Sequence, residues 1–162
     1  LFMVIYNTAN PHMTELGSIQ SGRLFRNINR FSDALVRDDI LIFRFDAPLY
    51  FANKDYFVEK LYGMAKRRPP GALKFVVFDA EAVNSVDCTA ILMLQQVIQN
   101  FSAQGIKFYI TNPIGPVRDV IKTSPLHDYM YGSSMFSTIS DAILFIDDGV
   151  DNHAAVALQT ND

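Results

Sequence analysis

ILIFRFDAPLYFAN, residues 40–53, joins a run of strand-forming residues to a turn and then to the start of a helix. From Ile40 to Phe45 only Arg44 is not apolar, so the run does not alternate, and such a strand is expected to be covered on both faces. Asp46-Ala47-Pro48 then breaks it. Aspartate bonds nearby backbone, and proline removes a backbone donor. Asn53 is expected to cap a helix in which Phe57, Leu61, Met64 and Ala65 fall at the i, i+4, i+7, i+8 spacing of one apolar face.

The same alternation continues outward. Apolar blocks at 73–78 and 106–110 are again nearly continuous, which predicts two further buried strands. Lys66, Arg67 and Arg68 suit the negative end of the first helix, and Pro69-Pro70-Gly71 stops it. A second helix is expected over 88–104, with Ile91, Leu94, Ile98 and Phe101 on one stripe, Asp87 or Ser85 as its cap and Gly105 just past its end. A third is expected to start at Asn112-Pro113, with Val117, Val120 and Ile121 inward, and to end before Pro125. The fourth spans 137–147 with Ile139, Ala142, Ile143 and Ile146 facing the core. Upstream, 13–19 and 24–28 are short apolar pieces punctuated by Gly17-Ser18 and Ser21-Gly22, the pattern of a meander or hairpin joining one side of the sheet. The expected fold class is α/β, a mixed sheet packed against about four helices.

With 162 residues the chain suits one domain with a single core. A net charge of −3 leaves no overall attraction to nucleic acid, so no nucleic-acid partner is expected; Arg23, Arg26 and Arg30 form only a local basic patch. The one cysteine, Cys88, cannot form an internal disulfide and fits a reducing compartment. No apolar run reaches the length of about 20 residues that a membrane helix needs. Residues 1–10 begin at Leu1 without an initiator methionine and fit a linker from an upstream segment, as they would fit an edge strand or an expression scar. Residues 11–149 form the domain, and 150–162, where apolar spacing fades, are expected to be a flexible tail.

Catalytic patterns are absent from the sequence. His12, His127 and His153 are isolated from one another and from Cys88, so neither a metal nor a cofactor is expected. No phosphate-binding loop or nucleophile elbow is present. Asp79, Glu81 and Asp87 flank a strand end and a helix start, where a general-acid pair has a place, but capping and dipole complementation are the plainer reading. Cys88 is expected to pack in the first turn of its helix. Asp46 reads either as a turn former or as part of an interaction surface. Tyr50 and Phe51 fit a partner contact, a homodimer or a membrane-facing neighbour, as well as they fit a cover for the sheet end.

Four segments carry a family resemblance in order: Pro11-His12, Leu16-Gly17-Ser18-Ile19, Phe25-Arg26-Asn27 and the Asp46–Asn53 turn. Together with FDAEAVNSVDCTAI at 78–91 they resemble the STAS domain that follows the membrane part of SulP-family anion transporters. The resemblance covers about 11–149. It implies a non-enzymatic regulatory and interaction domain on the cytoplasmic side of a bacterial inner membrane. Its partners would be the transporter's own membrane domain and a cytosolic regulatory protein, and the transported anion sulfate, bicarbonate or a dicarboxylate. The family also includes free-standing anti-sigma-factor antagonists, the alternative reading, in which a hydroxyl residue at the start of the second helix is phosphorylated. Thr89 occupies that position, in a regulatory loop with Ser85 and Asp87. Cys88 and Ala90 depart from the family's D-S/T-S/T-G pattern there. A small-ligand-binding α/β module is a third reading, with least in the sequence to carry it.

Overall fold

The computed structural model describes residues 9–19, 24–130 and 134–159. Most of the proposed linker, together with Ser21, Gly22, Arg23 and the last three residues of the proposed tail, lies outside them. Six strands, β1 (Met13–Ile19), β2 (Leu24–Asn27), β3 (Ile40–Phe45), β4 (Phe75–Asp79), β5 (Lys107–Thr111) and β6 (Met135–Phe136), form one sheet in the order β2-β1-β3-β4-β5-β6. β1 is antiparallel to both β2 and β3, and β3 through β6 are parallel. The helices defined among the described residues are α1 (Lys54–Ala65), α2 (Cys88–Ser102), α3 (Gly115–Thr123), α4 (Leu126–Tyr129) and α5 (Ile139–Gln159). This is the mixed sheet covered by helices that the continuous apolar strands require.

Each central strand divides its side chains between two cores. Leu41, Phe43 and Phe45 of β3, Val76 and Phe78 of β4, and Phe108 and Ile110 of β5 meet α1, α2, α3 and α4. Ile40, Ile42, Val77 and Tyr109 point the other way, against Ile139, Ala142 and Ile146 of α5. Phe57 of α1 presents its ring edgewise to Phe43, Phe45 and Phe78 at 5.7, 5.3 and 5.4 Å. Burying such rings contributes the largest part of the packing energy per residue.

Gly17 has a steric reason to be glycine. A Cβ there would lie 3.0 Å from both Ala34 Cβ and the Leu35 carbonyl oxygen. Residues 28–35 fold back over β1, and Ser18 and Leu35 exchange backbone hydrogen bonds of 2.9 and 2.8 Å.

The structure corrects several local expectations. Asn53 does not cap α1: its Oδ1 accepts from the Tyr50 amide, 3.1 Å, and its Nδ2 donates to the Pro48 carbonyl, 2.8 Å, so it clasps the preceding turn. Asn112 does not cap α3 either. It takes a left-handed φ of 53° and turns its amide to Asp79, while α3 starts at Gly115. Arg67 and Arg68 leave the end of α1 and pair with Glu15 of β1, which is buried under that helix. The strands after β3 sit one or two residues later than the apolar blocks suggest, and α4 and β6 are additional elements too short to show a period. α5 does not stop at 147 but continues to Gln159, since no proline interrupts 148–159 and alanine, leucine and glutamine favour helix.

Candidate interaction site

Two of the segments singled out by sequence meet at the C-terminal end of the parallel strands. The chain leaves β3 at Asp46, turns through Ala47-Pro48, and buries Leu49 completely. Leu49 then pairs in parallel with Val86: its amide donates to the Ser85 carbonyl, 3.0 Å, and its carbonyl accepts from the Asp87 amide, 3.2 Å. One further bond closes the junction. Asp87 Oδ2 accepts from the Phe51 amide at 2.9 Å, so the aromatic turn and the start of α2 are tied by backbone and side chain together.

Asp87 is the cap of α2, as one of the two expected candidates. Its Oδ1 accepts from the Ala90 amide at 2.8 Å and from the Thr89 hydroxyl at 2.7 Å. Desolvation acts to raise its pKa, but the Thr89 hydroxyl and the Ala90, Phe51 and Thr89 amides outweigh it, and the carboxyl is held below its ordinary value. The result is an anionic cap with its acceptors occupied, beside an exposed hydroxyl.

Ser85 and Thr89 are exposed, and so is Cys88, which corrects the expectation that it packs. It sits on the outer side of the first turn of α2, whose inward positions are taken by Ala90 and Ile91. Phe51 is 66% exposed and Leu92, one turn along α2 from Cys88, is 62% exposed. Tyr50 is half-buried and meets Phe51 edge to face with ring centroids 5.5 Å apart. Leu92 was not singled out by sequence, although it had a signal: it is an apolar residue beside the stripe of Ile91, Leu94, Ile98 and Phe101 rather than on it.

Asp46 has a second role at the same end of the sheet. Its amide donates to the His12 carbonyl, 2.9 Å, and its carboxylate contacts His12 Nδ1 at 2.7 Å and accepts from Arg44 Nε at 2.9 Å. The residue that ends β3 therefore holds the chain where it enters β1. Its carboxylate bonds two side chains, not the nearby backbone that a turn former is expected to bond.

Asp79 and Asp87 do not form an acid pair. Asp79 is 2% exposed, and its Oδ1 accepts from Asn112 Nδ2 at 2.9 Å and the Glu81 amide at 3.3 Å. Burial raises its pKa, with the Asn112 and Glu81 hydrogen bonds acting against the rise. No donor or acceptor is shared with Asp87, whose partners are Phe51, Thr89 and Ala90. Among the described residues no group of three or more His, Cys, Asp or Glu is placed to hold a metal ion, and no helix is long and apolar enough to cross a membrane.

The comparisons with known proteins agree with this fold. Sulfate transporter 4.1, chloroplastic, of Arabidopsis thaliana is 28% identical over 151 residues, which are 88% of this chain and 22% of the relative, so the chain spans under a quarter of that protein's length. The murine solute carrier 26 family member A9 anion transporter superposes with a TM-score of 0.78 at 21% identity, over 91% of this chain and 24% of the other. An anti-sigma factor antagonist described as putative, from Thermotoga maritima, shares the fold with a TM-score of 0.59 at 18% identity, over 70% of this chain and 92% of its own. The model of the STAS domain matches residues 32–142, well over half of the sequence, and the chain belongs to the STAS domain family.

Proposed function

We propose that this domain is a non-enzymatic regulatory and interaction module of a SulP-type anion transporter, for sulfate, bicarbonate or a dicarboxylate. The observation that carries the reading is the 28% identity with a sulfate transporter over 88% of the chain, a longer stretch than the family-model match of residues 32–142. The working surface is the exposed face made by Phe51, Ser85, Thr89 and Leu92, with Asp87 as the tie beneath it. His12, Asp46 and this surface lie at one end of the sheet, because β1 begins opposite the end of β3. A membrane domain preceding residue 12 would meet the domain at that end, on the cytoplasmic side of a bacterial inner membrane. A cytosolic regulatory protein would compete for the same face.

Thr89 is the switch in this reading. A phosphate on its hydroxyl would gain from the first-turn amides of α2, yet it would displace the hydroxyl from Asp87 and set two anions side by side, freeing Asp87 from one of its donors. In the full-length parent protein, Thr89→Glu is expected to change anion uptake or partner binding on the order of fivefold. Thr89→Ala, which loses one exposed hydrogen bond, is expected to cost roughly 1 kcal/mol of stability and little uptake. Uptake assays in proteoliposomes beside thermal melts decide between this and a scaffold role. Unchanged uptake and binding in both variants, with only a stability loss, would overturn the switch. An in-frame stop codon just upstream of Leu1 would transfer the reading to a free-standing anti-sigma-factor antagonist acting through the same Thr89.

A further inference from the structure

At the opposite end of the sheet, the ends of α1 and α2 and the 69–74 loop line an open cleft of about 410 Å³. Its walls combine two chemistries. Lys66, Arg68 and Lys74 supply three cations with no carboxylate among the lining residues, although the chain as a whole is acidic. Half-buried Tyr62, backed by the buried ring of Phe101 with centroids 5.4 Å apart and planes tilted by 51°, supplies an aromatic wall.

Two of the three cations are not used up by the fold, and the third, Arg68, is offset by Glu15. Among the described residues Lys66 and Lys74 make no ion pair. Arg68, with a side chain only 7% exposed, spends Nη2 on Glu15 and on the Ile40 carbonyl, while its buried Nε has no acceptor. A buried donor without an acceptor is disfavoured unless a ligand or solvent oxygen reaches it. The C-terminal ends of α1 and α2 act against this positive character, but their carbonyls are not left bare, since those of Tyr62, Met64 and Ala65 accept from the amides of Lys66, Arg67 and Arg68, and those of Phe101 and Ser102 from Gln104, Ile106 and Gly105.

We propose that this cleft binds a small aryl oxyanion. A carboxylate or phosphate head would be held by the exposed ammonium groups of Lys66 and Lys74, and the ring would lie against Tyr62. The site does not rest on the transporter reading, and it is at the far end of the sheet from Thr89. The Tyr62 ring selects against inorganic anions and the lysines against neutral arenes.

Nuclear magnetic resonance titration of the isotope-labelled 162-residue chain tests this, with phenyl phosphate and benzoate as the two head-group arms and inorganic phosphate and phenol as controls. The expected result is saturable shifts of amides within 66–74 and 101–106 for at least one aryl anion, and binding about tenfold weaker for both controls. The double variant Lys66→Ala/Lys74→Ala, which removes only exposed side chains and should keep the rest of the spectrum, is expected to lose about tenfold in affinity as well. No saturable shift with either aryl anion, shifts that map elsewhere, equal binding of inorganic phosphate, or equal binding by the double variant would each overturn the proposal.

Discussion

Asp79 and Asp87 stand at the ends of neighbouring segments, and their surroundings shift them in opposite directions. Burial raises Asp79, so in the folded state it holds its proton to higher pH than in the unfolded chain. Its contribution is therefore most favourable below the unfolded pKa and is lost as pH rises through the folded one. Asp87 is lowered by its donors despite desolvation; its contribution is present above the unfolded pKa and lost as pH falls through the folded one. Denaturation of Asp79→Asn and Asp87→Asn from about pH 3 to pH 7 should separate them. Asp79→Asn is expected to improve most on the wild type at neutral pH, and Asp87→Asn to lose most there, both differences shrinking in acid; the reverse signs would contradict the environments described. Glu15 poses a different problem, since it is the carboxylate that compensates Arg68 under α1. Glu15→Ala strands a buried guanidinium and is expected to cost about 3–5 kcal/mol, whereas Glu15→Met with Arg68→Met should cost far less. Chemical denaturation measures both, and a loss under about 1 kcal/mol for the single variant would mean that the pair is not held as described.

Gly17 shows how an element depends on what crosses it. The loop of residues 28–35 approaches β1 so closely that one methyl group has nowhere to go. Gly17→Ala is expected to destabilise by about 1–3 kcal/mol through overpacking, and amide exchange should rise at Ser18 and Leu35, whose mutual hydrogen bonds must open first. Unaltered stability and exchange would show that the loop yields freely. The elements that were legible in the sequence are those whose own residues determine them. β3, β4 and β5 show themselves because both faces are apolar, α1 and α2 because their stripes are long, and the end of α2 because Gly105 takes a left-handed φ of 73°. Illegible elements borrow their stability from elsewhere. β6 is two residues fastened to the edge of β5, and α4 is a single turn carried by buried Leu126. Asparagine favours caps and turns alike, so Asn53 and Asn112 could not be assigned without seeing which backbone groups were left for them.

For the molecule as a whole, the sequence predicts alternating strands and helices and a hairpin at one side, and the structure has both. It does not predict which distant segments touch. That Asp87 reaches the Phe51 amide, or that two arginines past α1 turn under the helix to Glu15, depends on strand order, and no periodicity encodes strand order. The site residues were legible as types and positions: Asp87 as a cap, Thr89 as a hydroxyl beside it, Phe51 as an aromatic in a turn. Their union was not. One feature of the sheet bears on mechanics. β1 is the first of the described strands, yet it is an interior strand, hydrogen-bonded to β2 on one side and to β3 on the other. Ladder bonds run across the strands. Tension along the chain at His12 would therefore load the β1 ladders in shear, many bonds at once, instead of peeling an edge strand one bond at a time. Strain arriving from that side would pass into the body of the domain before it could unravel it, which makes the sheet a stiff handle through which a pull at one end is felt at the other.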